Sequence, residues 1–157
     1  MADSKKILVA ADPYAASLKN AVVAHLQARG YEVVDVGADR EVPYFDGAVA
    51  VCKAMQAGTA PRAVLFCGTG MGMSIVANRF KGVTAAVVES VFAAKMCRAI
   101  NNANVLCLGQ MIWGPTWRRR PSTPSSTRNS PKGWKASPAS SATPAARSTP
   151  SVRDTVN

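Results

Sequence analysis

A thiol heads a run of alternating glycines in Cys67-Gly68-Thr69-Gly70-Met71-Gly72-Met73-Ser74. The apolar run Val64 to Phe66 ahead of it has the make-up of a buried strand, and Met73 to Arg79 behind it that of a helix. A strand, a glycine turn and a helix start bring backbone N–H groups together around an anion, and here a cysteine stands at the rim. The pairing points to thiol chemistry on an anionic ligand, although a cysteine closing a strand also suits a plain core position. A nucleotide phosphate fits less well. The turn follows the third strand rather than the first, lacks the dinucleotide spacing and has no P-loop lysine.

The segments that must position this turn alternate in type. Lys6 to Ala11 is an apolar strand broken by Asp12-Pro13. Leu18, Val22 and Leu26 recur at fourfold spacing along a helix from Ala15 to Arg29, closed by Gly30. A second strand covers Tyr31 to Val36 and ends at Gly37. After a loop over 38–43, a second helix spans Tyr44 to Ala57 with Val49, Cys52 and Met55 inward. Beyond the glycine turn come a strand over Val83 to Val88, a helix capped by Ser90 and running through Ala99, and a fifth strand from Val105 to Leu108 closed by Gly109. This order predicts an α/β fold in three layers, α/β/α, around a five-stranded parallel sheet with right-handed crossovers. Ligands of such sheets lie beyond the carboxyl ends of the strands, where Asp12, Gly37, Cys67, Glu89 and Gly109 stand.

Composition removes several classes of function. No apolar run approaches the roughly 18 residues of a membrane span, and the amino terminus leads into a strand with no signal peptide, so a cytoplasmic protein without a membrane partner is expected. Four cysteines without a C-x-x-C pair, and one histidine, His25, argue against a zinc or other metal site. Cys52, Cys97 and Cys107 read as reduced core residues, and His25 as an exposed helix residue. The net charge of +10 is unevenly placed: residues 1–117 carry 11 Lys/Arg against 8 Asp/Glu, or +3, and residues 118–157 carry 8 against 1, or +7. The front part therefore gives no reason to expect a nucleic-acid partner.

Residues 118–157 contain no Leu, Ile, Met, Phe or Tyr but six prolines and fourteen Ser/Thr, a composition that cannot bury a core. Two domains of unlike character follow, 1–115 and a Pro/Ser/Thr/Arg-rich tail at 116–157. As written, the tail is disordered by composition and leaves the fifth strand without its helix. The genetic code supplies an alternative. Read two nucleotides later from near Thr116, TCN serines become Phe, Leu, Ile or Val, Trp134 becomes Leu, Val or Met, and Lys135 becomes Glu. Pro121 to Ser126 then permits Ala-Val-Asp-Ala-Phe-Leu, which is helix-like.

Asp12 after the first strand, Tyr44 opening the second helix, Cys67 to Ser74, Ala77-Asn78, and Asn101-Asn102-Ala103-Asn104-Val105-Leu106 followed by Gly109 together resemble the ribose-5-phosphate isomerase B / galactose-6-phosphate isomerase family. The resemblance spans residues 5–115. It implies a Rossmann-like domain and a homodimer, or a tetramer made of two such dimers, with active sites at the dimer interface. It also implies aldose–ketose isomerisation of a small phosphorylated sugar, of the ribose 5-phosphate/ribulose 5-phosphate type, without metal or organic cofactor. Under it Cys67, as thiolate, is the base that moves a proton between adjacent carbons through an enediolate, with Thr69 bonded to the thiol. Asp12, Tyr44, Gly68, Gly70, Met71, Gly72, Ser74 and Asn101 are then substrate-binding, with backbone N–H groups from Gly68 to Gly72 facing the developing oxyanion and Asn101 holding a substrate hydroxyl.

Two positions depart from the family. Its usual histidine after the first-strand aspartate is Pro13, and the histidine before the asparagine, proposed to open the sugar ring, is Ile100. A four-carbon sugar with phosphate on O4 closes no furanose and needs no such group, so D-erythrose 4-phosphate/D-erythrulose 4-phosphate is an alternative substrate pair. A non-catalytic sugar-phosphate-binding protein is a further alternative. The family's phosphate-binding arginines lie largely in the carboxyl-terminal region and have no assigned counterpart in this chain. Sequencing the coding DNA across residues 112–120 tests the tail. The expected finding is an open shifted frame that continues into a Val-Asp-Ala-Phe-Leu type segment; a verified frame whose shifted reading meets stops overturns it.

Overall fold

The computed structural model describes residues 5–37 and 42–113, and its centre is formed by two near-continuous apolar strands, β1 (Lys6–Ala11) and β3 (Arg62–Cys67). β1 is buried from Ile7 to Ala10 and β3 from Ala63 to Cys67, as a parallel sheet covered on two faces requires. β2 (Glu32–Asp35) flanks β1, while β5 (Val105–Gly109) and then β4 (Ala85–Val87) flank β3, giving the order β2-β1-β3-β5-β4 with all pairs parallel. The chain leaves β1 toward one edge and β3 toward the other. The crevice that such a reversal opens lies at the carboxyl ends of β1 and β3, beside Asp12 and Cys67.

Helices cover both faces. α1 (Ala16–Ala28) lays Leu18, Val22 and Leu26 on Ile7, Val9, Val64 and Phe66. α4 (Val91–Asn101) packs Cys97 near Leu106 and Leu108 on the same side. α2 (Tyr44–Gln56) and α3 (Met71–Ala77) bury Ala48, Val51, Cys52, Met73 and Ala77 against Leu8, Ala10, Leu65 and Cys107 on the other. The three-layer α/β/α arrangement with a five-stranded parallel sheet is the one the alternation predicts. Among the described residues, no helix is long and apolar enough to cross a membrane.

Element ends depart from expectation for local reasons. A single-turn 3-10 helix (Pro13–Ala15), capped by Asp12 and carrying proline at its start, precedes α1, so the α-helix begins one residue later than expected. β2 and β4 are shorter than their apolar runs because each is an edge strand with one pairing neighbour. The inward line of α2 runs through Gly47, Ala48, Val51 and Cys52 rather than Val49, and Gly47 faces Ala10 of β1. α3 starts at Met71, two residues early, because left-handed Gly70 (φ 82°) turns the strand directly into the helix. Ser90 caps α4 as expected, its hydroxyl accepting from Ala93 N–H at 3.0 Å, and the helix extends to Asn101.

Asparagines fasten the edge strand. Asn78 bonds both backbone groups of Ala85 at 2.9 Å and the carbonyl of Ser74 at 3.0 Å. Asn104 accepts from Thr84 N–H and donates to the Gly82 carbonyl, both at 2.8 Å. The tail at 116–157, its shifted-frame reading and part of the loop at 38–43 lie outside the described residues.

Candidate active site

The site grows from the carboxyl end of β3. Asp12 N–H donates to the Phe66 carbonyl at 3.2 Å, which sets the β1 corner beside Cys67. Asp12 Oδ1 accepts from Ala15 N–H at 2.9 Å and holds the 3-10 turn, so this carboxylate caps its own loop while standing at the crevice. Cys67 is buried and aligned with Gly109 of β5. The Gly70 N–H donates to its sulfur at 3.1 Å, closing the glycine turn on the thiol. The Thr69 hydroxyl accepts from Met71 N–H at 3.3 Å, so the hydrogen bond drawn to the thiol comes from Gly70 backbone.

Three glycines let backbone and ring approach where a side chain has no room. Gly70 lies over β5: a Cβ there would stand 2.9 Å from the Cys107 carbonyl oxygen. Gly109 lies under the turn: a Cβ there would meet Thr69 backbone atoms at 2.7–2.8 Å. Gly72 takes the edge of the Tyr44 ring, with Cε2 2.6 Å from where its Cβ would be. Tyr44 itself opens α2, packs edge-on against Phe45 with ring centroids 5.4 Å apart, and remains partly exposed. Met71 is exposed at the start of α3, while the Ser74 N–H donates to the Gly70 carbonyl at 3.2 Å.

Burial pushes the Cys52 thiol up to about 11, and burial followed by the charges of Cys67 and Cys52 pushes Cys107 well above the ordinary thiol range. Cys52 and Cys107 therefore stay protonated near neutrality, and both pack in the apolar layer beneath the turn. All four cysteines are free thiols. Among the described residues no three His, Cys, Asp or Glu side chains gather as a metal ion requires.

Asp12, Tyr44, Cys67, Gly68, Thr69, Gly70, Met71, Gly72 and Ser74 lie on the connected corners of β1, α2 and β3. Asn101 does not join them. α4 starts beyond the carboxyl end of β4 and runs back against the strands, so its last residue lies about 15 Å along the axis from its first. Asn104, three residues on, bonds Thr84 and Ala63 at the amino-terminal edge of the sheet. Asn101 and Ile100 are thus exposed at the end of the sheet opposite Cys67 within one chain. Two neighbours escaped the motif: Tyr14 Cδ1 and Met111 Cε stand 4.0 and 3.9 Å from where a Cβ on Gly68 would be. Their signal was position, immediately after the ends of β1 and β5, rather than residue type.

Fold and site together define an isomerase of one family: residues 7–120 match the model described as Ribose/Galactose Isomerase, and the chain belongs to that family. It is 46% identical over 110 residues to 4-deoxy-4-sulfo-D-erythrose isomerase of Clostridium sp. (strain MSTE9), across 68% of this chain and 69% of the relative. It is 40% identical over 112 residues to D-erythrulose-4-phosphate isomerase of Pectobacterium atrosepticum, across 69% and 74%. The solved structure of a ribose 5-phosphate isomerase RpiB from Thermotoga maritima resembles it with a TM-score of 0.65 and 41% identity, over 69% of this chain and 77% of that one.

The close approach at Gly70 is testable against Gly82, which has the same left-handed backbone (φ 81°) but nothing within 4 Å of its missing Cβ. Gly82→Ala is expected to cost only the conformational penalty of about 1 kcal/mol. Gly70→Ala should cost roughly 2 kcal/mol more, because backbone rather than a movable side chain fills the space. Urea unfolding of the two variants reads the difference; equal costs would remove the interlock.

Proposed function

We propose that this sugar-phosphate isomerase of the RpiB family acts on an open-chain four-carbon sugar with an anion at C4, interconverting D-erythrose 4-phosphate and D-erythrulose 4-phosphate. The observation that carries the substrate reading is Ile100. It stands where the family usually places the ring-opening histidine, its side chain is 73% exposed, and it carries no proton. Pro13 likewise replaces the histidine beside Asp12. A sugar that cannot close a furanose has no use for either group. Phosphate on O4 blocks that closure, and so does a sulfonate in place of O4. Both relatives named above for four-carbon substrates fit this logic. The likeness to a ribose 5-phosphate isomerase supports the second reading, ribose 5-phosphate/ribulose 5-phosphate, which would need ring opening by another group.

In the proposed reaction the Cys67 thiolate takes the proton from C2 of the aldose. The C–H electron pair forms the C1–C2 double bond, and the carbonyl oxygen becomes the enediolate oxyanion. The thiol then returns its proton to C1 while the O2 proton passes to O1, leaving the ketose. Cys67 suits this role because, of the three thiols in the layer under the turn, it alone takes a hydrogen bond from the turn backbone; Cys52 and Cys107 are held protonated. The Gly70 N–H is engaged by the thiol and the Met71 N–H by Thr69, which supports a reading in which Gly68, Thr69 and Gly72 face the oxyanion. Each well-placed donor is worth about 3 kcal/mol.

A second copy of the chain completes this reading. Asn101 reaches a Cys67 turn only if the turn belongs to a partner, so the catalytic unit is a homodimer with shared sites. Val91, Phe92 and Ile100 leave apolar surface on α4 for such a contact. Residues 1–115 form the isomerase domain of each copy.

Turnover of the two substrate pairs decides between the readings. The tetrose phosphates are expected to exceed ribose 5-phosphate in kcat/KM by about tenfold or more; efficient ribose 5-phosphate isomerisation without tetrose activity refutes the proposal. Cys67→Ala should lower kcat by about a thousandfold while the dissociation constant for the sugar phosphate changes little. Undiminished turnover in that variant would remove Cys67 as base.

A further inference from the structure

We propose that Gln110 is a positioning residue for this reaction: its side chain fastens the corner after β5, and through it the Cys67 turn, to the start of α1. The inference rests on the isomerase reading above. Gln110 is the one buried polar or charged residue among those described, 3% exposed, and opens the short helix α5 (Gln110–Trp113). Its Oε1 accepts from Leu18 N–H at 3.1 Å and from the Ser17 hydroxyl at 3.2 Å. α1 begins without a local cap, since Ala15 offers no side-chain acceptor. The Leu18 N–H is among the first four of the helix, which have no partner within it. Gln110 therefore supplies from 92 residues away the acceptor that a serine or aspartate supplies at an ordinary helix start.

The backbone on either side of Gln110 touches the turn directly. Gly109 lies against Thr69 with no room for a Cβ, and Met111 N–H donates to the Gly68 carbonyl at 2.9 Å. α1 in turn follows the 3-10 helix that Asp12 caps, and Asp12 N–H holds Phe66, next to Cys67. One amide side chain thus ties together the corners after β1, β3 and β5. It touches no reacting atom. Its task is to keep Gly68 and Thr69 where the oxyanion develops, and a displacement of that backbone acts on the transition state more than on ground-state binding.

The test compares Gln110→Leu, Gln110→Glu and Ser17→Ala with the unaltered chain, using steady-state kinetics with D-erythrose 4-phosphate and site-resolved amide hydrogen exchange. Gln110→Leu is expected to lower kcat about tenfold or more with KM changed less than about threefold. Amides of residues 68–71 should exchange about fivefold faster while those of β1 and β3 hold. Gln110→Glu retains the acceptor beside a helix start that favours a carboxylate, so it should keep most of kcat and slow exchange at the turn. Ser17→Ala removes one of the two bonds and should give a smaller loss of the same kind, which reads the link even where Gln110→Leu does not fold. Faster exchange confined to the first turn of α1, with exchange at 68–71 and kcat unchanged, would make Gln110 a cap alone and overturn the proposal. So would a failure of Gln110→Glu to rescue Gln110→Leu. An unaltered chain that isomerises no sugar phosphate would sink the functional reading instead, while the exchange at 68–71 still decides the positioning link.

Discussion

Two bare Cα atoms, facing in opposite directions, hold the site. Gly70 presses on the Cys107 carbonyl from above, and Gly109 receives the Thr69 backbone from below, so the turn after β3 and the end of β5 interlock with no side chain between them. Close-packed backbone leaves little freedom for either segment to move alone. The Met111 N–H to Gly68 carbonyl bond closes the contact at its far end. The thiol is bonded within this interlock: the N–H of left-handed Gly70 donates to the Cys67 sulfur at 3.1 Å. Sheet order makes the interlock possible. β5 pairs beside β3 although thirty-seven residues separate Cys67 from Val105, and α3, β4 and α4 fill the interval.

The layer beneath the turn is apolar and holds three of the four thiols. Cys52 and Cys107 lie within the same cluster as Cys67, yet apolar surroundings hold their protons on. Of these three thiols, Cys67 alone takes a hydrogen bond from the backbone of the glycine turn, which is why the proposed base is placed there. The direction of α4 matters as much. A helix returning from the carboxyl to the amino edge of a parallel sheet carries its last residues away from the crevice. Ile100 and Asn101 therefore belong to a different end of the molecule from Cys67, and the proposed chemistry depends on two copies meeting.

Much of the scaffold was legible in the chain. Apolar runs marked β1, β3 and β5, the first broken by Asp12-Pro13 and the other two followed by glycine, and the fourfold spacing of Leu18, Val22 and Leu26 marked the buried face of α1. Helical spacing points Val49 inward on α2, whereas the buried line runs through Gly47, Ala48, Val51 and Cys52, because the spacing alone does not say which side of a helix meets the sheet. The start of α3 was placed late, since a glycine-rich segment carries no helix signal until its backbone angles are known. Tyr14, Gln110 and Met111 carry no signal in the chain: an exposed aromatic, an amide and a methionine are ordinary residues until the corners they occupy are brought together.

By itself, the sequence determined which residue types were present to act: one thiol among alternating glycines, with Pro13 and Ile100 where proton carriers usually stand. Those are covalent facts, and they bound the chemistry whatever the fold. Tertiary structure alone decided which of them share a site, because contact between segments far apart in the chain depends on strand order and helix direction. It put Gly109 under Thr69, gave the Cys67 sulfur a donor in Gly70, and sent Asn101 to the opposite edge. It also turned Gln110 from one polar residue among many into the acceptor on which the first helix and the last corner both rest.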